Sequence, residues 1–281
     1  MFGVLQRTLK FIRFSHTVFA LPFAIGSTLV AAKGLPSMRL CVLILLAMVC
    51  ARTAAMAFNR VVDWEIDKEN PRTAGRHRLI SKPAAITLAA GSAAAFVVTC
   101  WAINPICFWL SPVALTIVFF YSFTKRFTSF TQFFLGLSLA VAPVGAWLAV
   151  TGRFALAPLI LAVGVVFWVG GFDLIYATQD YEFDRRARLR SMVVKFGIPA
   201  SLQLAQMMHV VLLLSLVGFG ILSGLGPLYY AALVLVVGAL IYEHRVAAQA
   251  GLARINEAFF QANAFVSVVF VAAITLGLWV K

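Results

Sequence analysis

Two five-residue stretches hold most of the groups in this chain that could do chemistry. Residues 63–67 read Asp-Trp-Glu-Ile-Asp and residues 180–184 read Asp-Tyr-Glu-Phe-Asp, one acid–aromatic–acid–apolar–acid pattern written twice. Eight of the ten Asp and Glu residues lie in the segments 63–69 and 173–184, where ordinary solvated loops would scatter them among several turns. On a helix of about 100° per residue, Asn59, Asp63 and Asp67 fall within about 80° of one another, and Asp173, Asp180 and Asp184 within about 40°. Glu65 and Glu182 point elsewhere, to solvent or to a basic loop residue. A single D-x-x-x-D at a helix end is more often a solvated terminus than a binding site. Two of them, with Asn59 in phase with the first, favour the site.

Carboxylates that face one another repel unless protons or cations come between them. Asp63 and Asp67 from one helix and Asp180 and Asp184 from another would form an all-oxygen set, which suits Mg²⁺, an ion held by a few carboxylates, water and substrate phosphate oxygens. Arg60, Arg72, Arg76, Arg185 and Arg186 stand near the acids in sequence, Lys125 and Arg126 fall in a loop expected on the same side, and all could clamp the phosphate oxygens that the metal leaves open. Acids, a metal and a ring of bases beside apolar segments describe a site for a lipid diphosphate.

The elements that must position these groups are membrane spans. Only 12% of the 281 residues are charged, against about 25% in soluble domains, and the mean hydropathy is +0.96. Apolar runs long enough to cross about 30 Å of hydrocarbon recur along the chain. Their cores are 17–32, 39–58, 84–103, 106–122, 131–150, 155–178, 202–223, 226–242 and 261–280. The expectation is an all-α polytopic bundle of about nine transmembrane helices, one integral-membrane domain over residues 1–281, with the second and sixth helices ending at the acidic clusters. Strand-like alternation between turn signals is absent, which argues against an outer-membrane barrel. Pro71 is expected to end the first acidic helix, because the residue before a proline disfavours helical geometry. Arg7, Lys10 and Arg13 precede the first apolar run as in a signal peptide, but eight further spans and no A-x-A site favour an uncleaved first helix.

The net charge of +13 follows from topology. With nine spans, 19 of the 23 Lys and Arg residues fall on the side of the N-terminus, and only Lys33, Arg39, Arg153 and Lys281 on the other. The positive-inside rule then puts the N-terminus and both acidic clusters in the cytoplasm. A basic face toward anionic lipid accounts for the charge without a nucleic-acid partner. Cys41, Cys50, Cys100 and Cys107 show no metal-ligand spacing and read as small apolar residues, with a disulfide between Cys100 and Cys107 conceivable. His16, His77, His209 and His244 are spread without ligand spacing and read as structural or loop residues, His16 doubling as a weak substrate-contact candidate.

These residues carry a family likeness. Asn59-Arg-Val-Val-Asp63-Trp-Glu-Ile-Asp67 resembles the N-D-x-x-D-x-x-x-D motif of the UbiA family of intramembrane aromatic prenyltransferases, and Asp180-Tyr-Glu-Phe-Asp184 its second motif. The segments SHTVFALPFA (15–24), YSFTKRFT (121–128), APVGAWLAVTG (142–152) and GFDLIYATQDYEFD (171–184) look like the quinone-pathway branch. Two positions depart: Arg60 stands where many members have Asp, and HRLISKP (77–83) replaces the usual R-P-L-x-S-G.

The resemblance implies Mg²⁺-dependent transfer of a polyprenyl group from its diphosphate to an aromatic acid, most often 4-hydroxybenzoate, in respiratory quinone biosynthesis at a bacterial inner membrane. It casts Asp63, Asp67, Asp180 and Asp184 as metal ligands and Lys125 and Arg126 as stabilisers of the leaving diphosphate. Asn59, Arg60, Arg72, Tyr121, Asp173 and Tyr176 become substrate contacts. Prenyl chain length and oligomeric state stay open.

Three other readings compete. A futalosine-pathway menaquinone prenyltransferase would carry a similar Asn-Pro-Arg-Thr-Ala-Gly-Arg loop, residues 70–76 here. A cation-coupled secondary transporter could explain a repeated acidic motif, but such sites lie near the bilayer midplane, whereas these acids gather at helix ends. A phosphatidyltransferase would need a D-G-x-x-A-R arrangement that the chain lacks.

Overall fold

The computed structural model describes residues 7–8, 11, 21–69, 73, 75, 78–249 and 252–279. Among them every regular element is helical and no strand occurs. In chain order these are α1 (Leu21–Ala32), α2 (Met38–Val62), α3 (Trp64–Glu69), α4 (Lys82–Ile103), α5 (Pro105–Phe120), a 3₁₀ helix over Tyr121–Arg126, and α6 (Thr131–Thr151). Then follow α7 (Leu156–Ala177), a 3₁₀ turn over Thr178–Asp180, α8 (Tyr181–Arg186), α9 (Met192–Phe196), α10 (Ile198–Ser223), α11 (Pro227–Gln249) and α12 (Leu252–Trp279). Eight helices among the described residues are long and apolar enough to span a membrane, and α1 is a shorter apolar helix. Each falls on one of the expected cores. Residues 17–20 of the first core, with His16, lie outside the described residues.

Helix boundaries follow local chemistry. Ser81 caps α4, its hydroxyl accepting from the Ala84 amide at 3.4 Å, with Pro83 in the first turn where a missing N–H goes unnoticed. Asn104 makes the corner between α4 and α5: its amide donates to the Cys100 carbonyl at 3.3 Å while its Oδ1 accepts from Cys107 N at 2.8 Å. Gly152 ends α6 in the left-handed region at φ 62°, a conformation that side chains with a Cβ resist.

The chain divides into two compact units, one of residues 1–17 and 38–123, the other of 18–37 and 124–281. In the first, α2 packs on α4 and α5, and α4 on α5. Buried Ala54, Ala57, Ala85 and Ala89 let these helices approach closely. Phe58 stacks on Phe119 with centroids 4.4 Å apart and meets Phe123 edge-on at 5.8 Å. Cys100 and Cys107 are free thiols, so the conceivable disulfide is not formed.

The second unit is organised around α7, which packs on α10, α6, α12 and α1. Trp168, wholly buried, lies 4.8 Å from Phe23 and edge-on to Phe172 at 5.0 Å. A Cβ at Gly136 would run into the Val166 carbonyl, so α6 and α7 meet backbone to backbone. A polar knot ties four helices together. His209 Nδ1 and His244 Nε2 share a hydrogen bond of 2.9 Å, and His209 Nε2 lies 3.4 Å from the Trp168 carbonyl. Asn263 Nδ2 donates to Glu243 Oε1 at 2.8 Å, and Glu243 Oε2 is 4.0 Å from His209 Nδ1. Two of the four histidines thus serve structure.

Candidate functional site

The first acidic motif belongs to the first unit. Helix α2 closes at Val62, Asp63 sits in a turn and α3 resumes at Trp64. The helical ladder nevertheless runs through, Asp63 N donating to Asn59 O at 2.9 Å and Asp67 N to Asp63 O at 2.8 Å. Asn59, Asp63 and Asp67 therefore follow one another at single-turn intervals. Asp63 is buried at 5% exposure. Asn59 Nδ2 donates to Asp63 Oδ2 at 3.4 Å and also lies 3.4 Å from Ser122 Oγ, which ties the motif to the 3₁₀ helix that Tyr121 opens. Tyr121 is half-buried.

Asp67 is shielded as well, its side chain 17% exposed, and Arg60 Nη1 reaches its Oδ2 at 3.3 Å. Thr73 Oγ1 donates to the Asp67 carbonyl at 2.9 Å. Glu65 behaves differently: its side chain is 70% exposed and its Oε2 lies 2.9 Å from Lys68 Nζ. The outer acids face inward and the middle one faces water. The described part of α3 runs over Trp64–Glu69. Pro71, Arg72, Arg76 and His77 lie outside the described residues.

The second motif belongs to the second unit, and here the chain is wound more tightly than a plain helical wheel assumes. Between Asp173 and Asp184 the chain does not run as one α-helix. Thr178 Oγ1 donates to the Ile175 carbonyl at 2.7 Å, and Thr178–Asp180 tightens to a 3₁₀ turn. Three residues at about 120° each advance the phase by about 60° over an α-helix, so Asp173 falls about 40° from Asp180 and about 80° from Asp184, a spread like that of Asn59, Asp63 and Asp67. Asp180 stands at the N-cap of α8 and Asp184 one turn on, so that pair stays together. Asp173, Tyr176, Asp180 and Asp184 are half-buried and Glu182 is exposed. Tyr176 also packs on the large apolar core.

Lys125 and Arg126 end the Tyr121–Arg126 helix, both exposed. The segment they introduce is fastened to the one that follows Asp184. Arg190 Nη1 donates to the Phe127 carbonyl at 2.8 Å, and Lys195 Nζ lies 5.0 Å above the Phe130 ring. Arg188 turns the chain at φ 54°, and Leu189 N donates to Asp184 O at 2.9 Å.

One group was missed by the motif reading. Arg52 lies inside α2, where an apolar span should carry no charge, and its Nε is fully buried without a hydrogen-bond partner. Seven residues from Asn59 and eleven from Asp63, it falls within about 20° of each around the helix and roughly 10 Å along the axis from Asn59. The signal was legible as an arginine two turns before the motif; counting it among the topogenic charges hid it.

Among the described residues of either unit, no three His, Cys, Asp or Glu side chains gather closely enough to hold a metal. Each unit instead offers two carboxylates one turn apart, a half-set of hard oxygen donors. The donor chemistry fits Mg²⁺, whose remaining ligands are ordinarily water and phosphate oxygens.

The profile of the UbiA prenyltransferase family matches residues 20–279. A curated relative from Nitrosospira multiformis, named 4-hydroxybenzoate octaprenyltransferase, is 29% identical over 254 residues, 89% of this chain and 87% of its own. The apo structure of a UbiA homologue from Aeropyrum pernix superposes with a TM-score of 0.83 at 28% identity, covering 93% of this chain and 98% of that one. A UbiA homologue from Archaeoglobus fulgidus, solved bound to GPP and Mg²⁺, has a TM-score of 0.70 at 20% identity and covers 98% of this chain and 100% of its own.

Proposed function

The chain belongs to the UbiA prenyltransferase family, and from that premise we propose that this membrane enzyme transfers a polyprenyl group from polyprenyl diphosphate to 4-hydroxybenzoate with Mg²⁺ as cofactor. In this reading residues 1–281 form one integral-membrane catalytic domain whose site opens to the cytoplasm of a bacterial inner membrane. Asp63, Asp67, Asp180 and Asp184 hold the metal, with the Asn59 amide fixing the carboxylate of Asp63. Mg²⁺, when bound, acts as a Lewis acid toward the leaving diphosphate. Lys125, Arg126 and Arg72 meet the diphosphate oxygens and stabilise charge as the C–O bond breaks. Asp173 and Tyr176 line the cavity where the delocalised allylic cation meets the acceptor. The ring carbon beside the acceptor's hydroxyl attacks that cation and loses its proton as aromaticity returns.

Arg52 is the observation that carries the acid acceptor. An arginine with a buried, unpartnered Nε, on the face of α2 that carries Asn59 and Asp63, is costly in a membrane span unless it meets an anion. A benzoate carboxylate on Arg52 would set the ring between that cation and the diphosphate. The name of the Nitrosospira relative supports the same acceptor. A second reading, transfer to a related aromatic acid of the futalosine route to menaquinone, is favoured by the loop Asn70–Arg76. Mass spectrometry of products from membranes given polyprenyl diphosphate and each acceptor in turn decides between them. Prenylated hydroxybenzoate as the main product supports the first reading; its absence beside efficient prenylation of the other acid overturns it.

A further inference from the structure

The pairing of Arg60 with Asp67 has a consequence for how the site fills. The Arg60 and Asp67 side chains are 8% and 17% exposed, with Nη1 and Oδ2 3.3 Å apart, so the pair is held away from bulk water, where ion pairs gain strength. Glu65 is turned to solvent and matched by Lys68. The shielded charged side chains within the motif include Arg60, Asp63 and Asp67. An acid at position 60 would make this stretch more negative by two charges and favour a cation beside it. With Arg60 present, one of the two carboxylates needed for a metal already has a cation on it.

We propose that Arg60 is a positioning residue that holds Asp67 in reserve, competing with the divalent ion, so that the first motif binds metal weakly until a diphosphate arrives. The diphosphate oxygens then compete for the guanidinium, which is built for such oxygens, and their approach frees Asp67 for the ion. Metal and diphosphate enter together, and metal alone does not sit tightly in the empty site. This rests on the reading of Asp63 and Asp67 as ligands of a divalent ion.

The test is Mn²⁺ binding to the purified full-length protein in detergent, followed by electron paramagnetic resonance, with and without inorganic pyrophosphate. In the unaltered protein pyrophosphate should tighten Mn²⁺ binding at least tenfold. Arg60→Gln should bind Mn²⁺ alone at least tenfold more tightly than the unaltered protein and lose most of the pyrophosphate enhancement. Arg60→Lys, which keeps the charge, should stay close to the unaltered protein in Mn²⁺ affinity. A variant damaged in folding would lose both affinities, so tighter metal with weaker coupling separates positioning from structure. Mn²⁺ affinity within twofold of the unaltered protein in Arg60→Gln, or a retained enhancement, overturns the inference. Asp63→Ala keeps the two levels apart. If it abolishes Mn²⁺ binding while Arg60→Gln changes nothing, only the role of Arg60 fails; if it leaves Mn²⁺ binding intact, the metal reading fails.

Discussion

Replacing Arg52 with methionine separates recognition of the acceptor from the rest of the reaction. The substitution keeps an apolar stem in α2 and removes a guanidinium whose Nε is buried and unpartnered. If that group meets the acceptor carboxylate, its loss removes a charge-assisted contact in a desolvated site. Truncating one partner of such a pair costs about 2–5 kcal/mol, and at about 1.4 kcal/mol per tenfold, a loss near 3 kcal/mol lowers kcat/KM for 4-hydroxybenzoate by on the order of a hundredfold. The KM for the prenyl diphosphate should move less than about threefold. Protein stability should hold or rise, because a desolvated cation has gone. The assay is product formation followed by mass spectrometry, run in parallel with 4-hydroxybenzamide, a neutral acceptor of nearly the same shape. The unaltered enzyme should prefer the acid and Arg52→Met should lose most of that preference. An unchanged preference would refute the assignment, and so would an equal fall with both acceptors.

Further outcomes test other parts of the account. Glu65→Gln should keep transfer within about twofold, since that side chain is 70% exposed and its carboxylate meets the exposed Lys68, whereas Asp67→Asn should lower it by at least about a hundredfold; equal losses would contradict the division between outer and middle acids. Asn263→Leu leaves Glu243 Oε1, buried between helices, without its 2.8 Å donor, so thermal unfolding in detergent should show a loss of about 1–3 kcal/mol. Gly136→Leu should prevent folding, because a side chain there has the Val166 carbonyl in its way; a monodisperse protein of normal stability would show that the α6–α7 approach is wrong.

Much of the fold was legible because hydrocarbon imposes a simple rule on composition and length. The expected cores fall on the described helices, and the acidic pentapeptides sit at helix ends. Hydropathy failed where polarity and helicity part company. The core expected at 226–242 stopped before Glu243, His244 and Arg245, yet α11 continues to Gln249. Glu243 is accepted inside the bundle because Asn263, twenty residues on, donates to it, and no local pattern announces that partner. Separating Asp63 and Asp67 from Glu65 needed only helical phase, and phase held because the hydrogen-bond ladder passes through the turn at Asp63. It loosened for Asp173, where Thr178 donates back to the Ile175 carbonyl and the chain tightens to a 3₁₀ turn. Arg60 read as a phosphate clamp; its engagement with Asp67 spans two turns and a helix break, beyond what residue type alone could say.

The central claim is that carboxylates of both motifs serve one Mg²⁺-dependent prenyl transfer to an aromatic acid. Its most direct test is the yield of prenylated 4-hydroxybenzoate, by mass spectrometry, from membranes holding equal amounts of the unaltered protein, Asp63→Ala and Asp180→Ala, each supplied with polyprenyl diphosphate and Mg²⁺. The account predicts product from the unaltered protein, lost when Mg²⁺ is chelated, and none above background from either variant although both remain inserted. Full yield from either variant would contradict it.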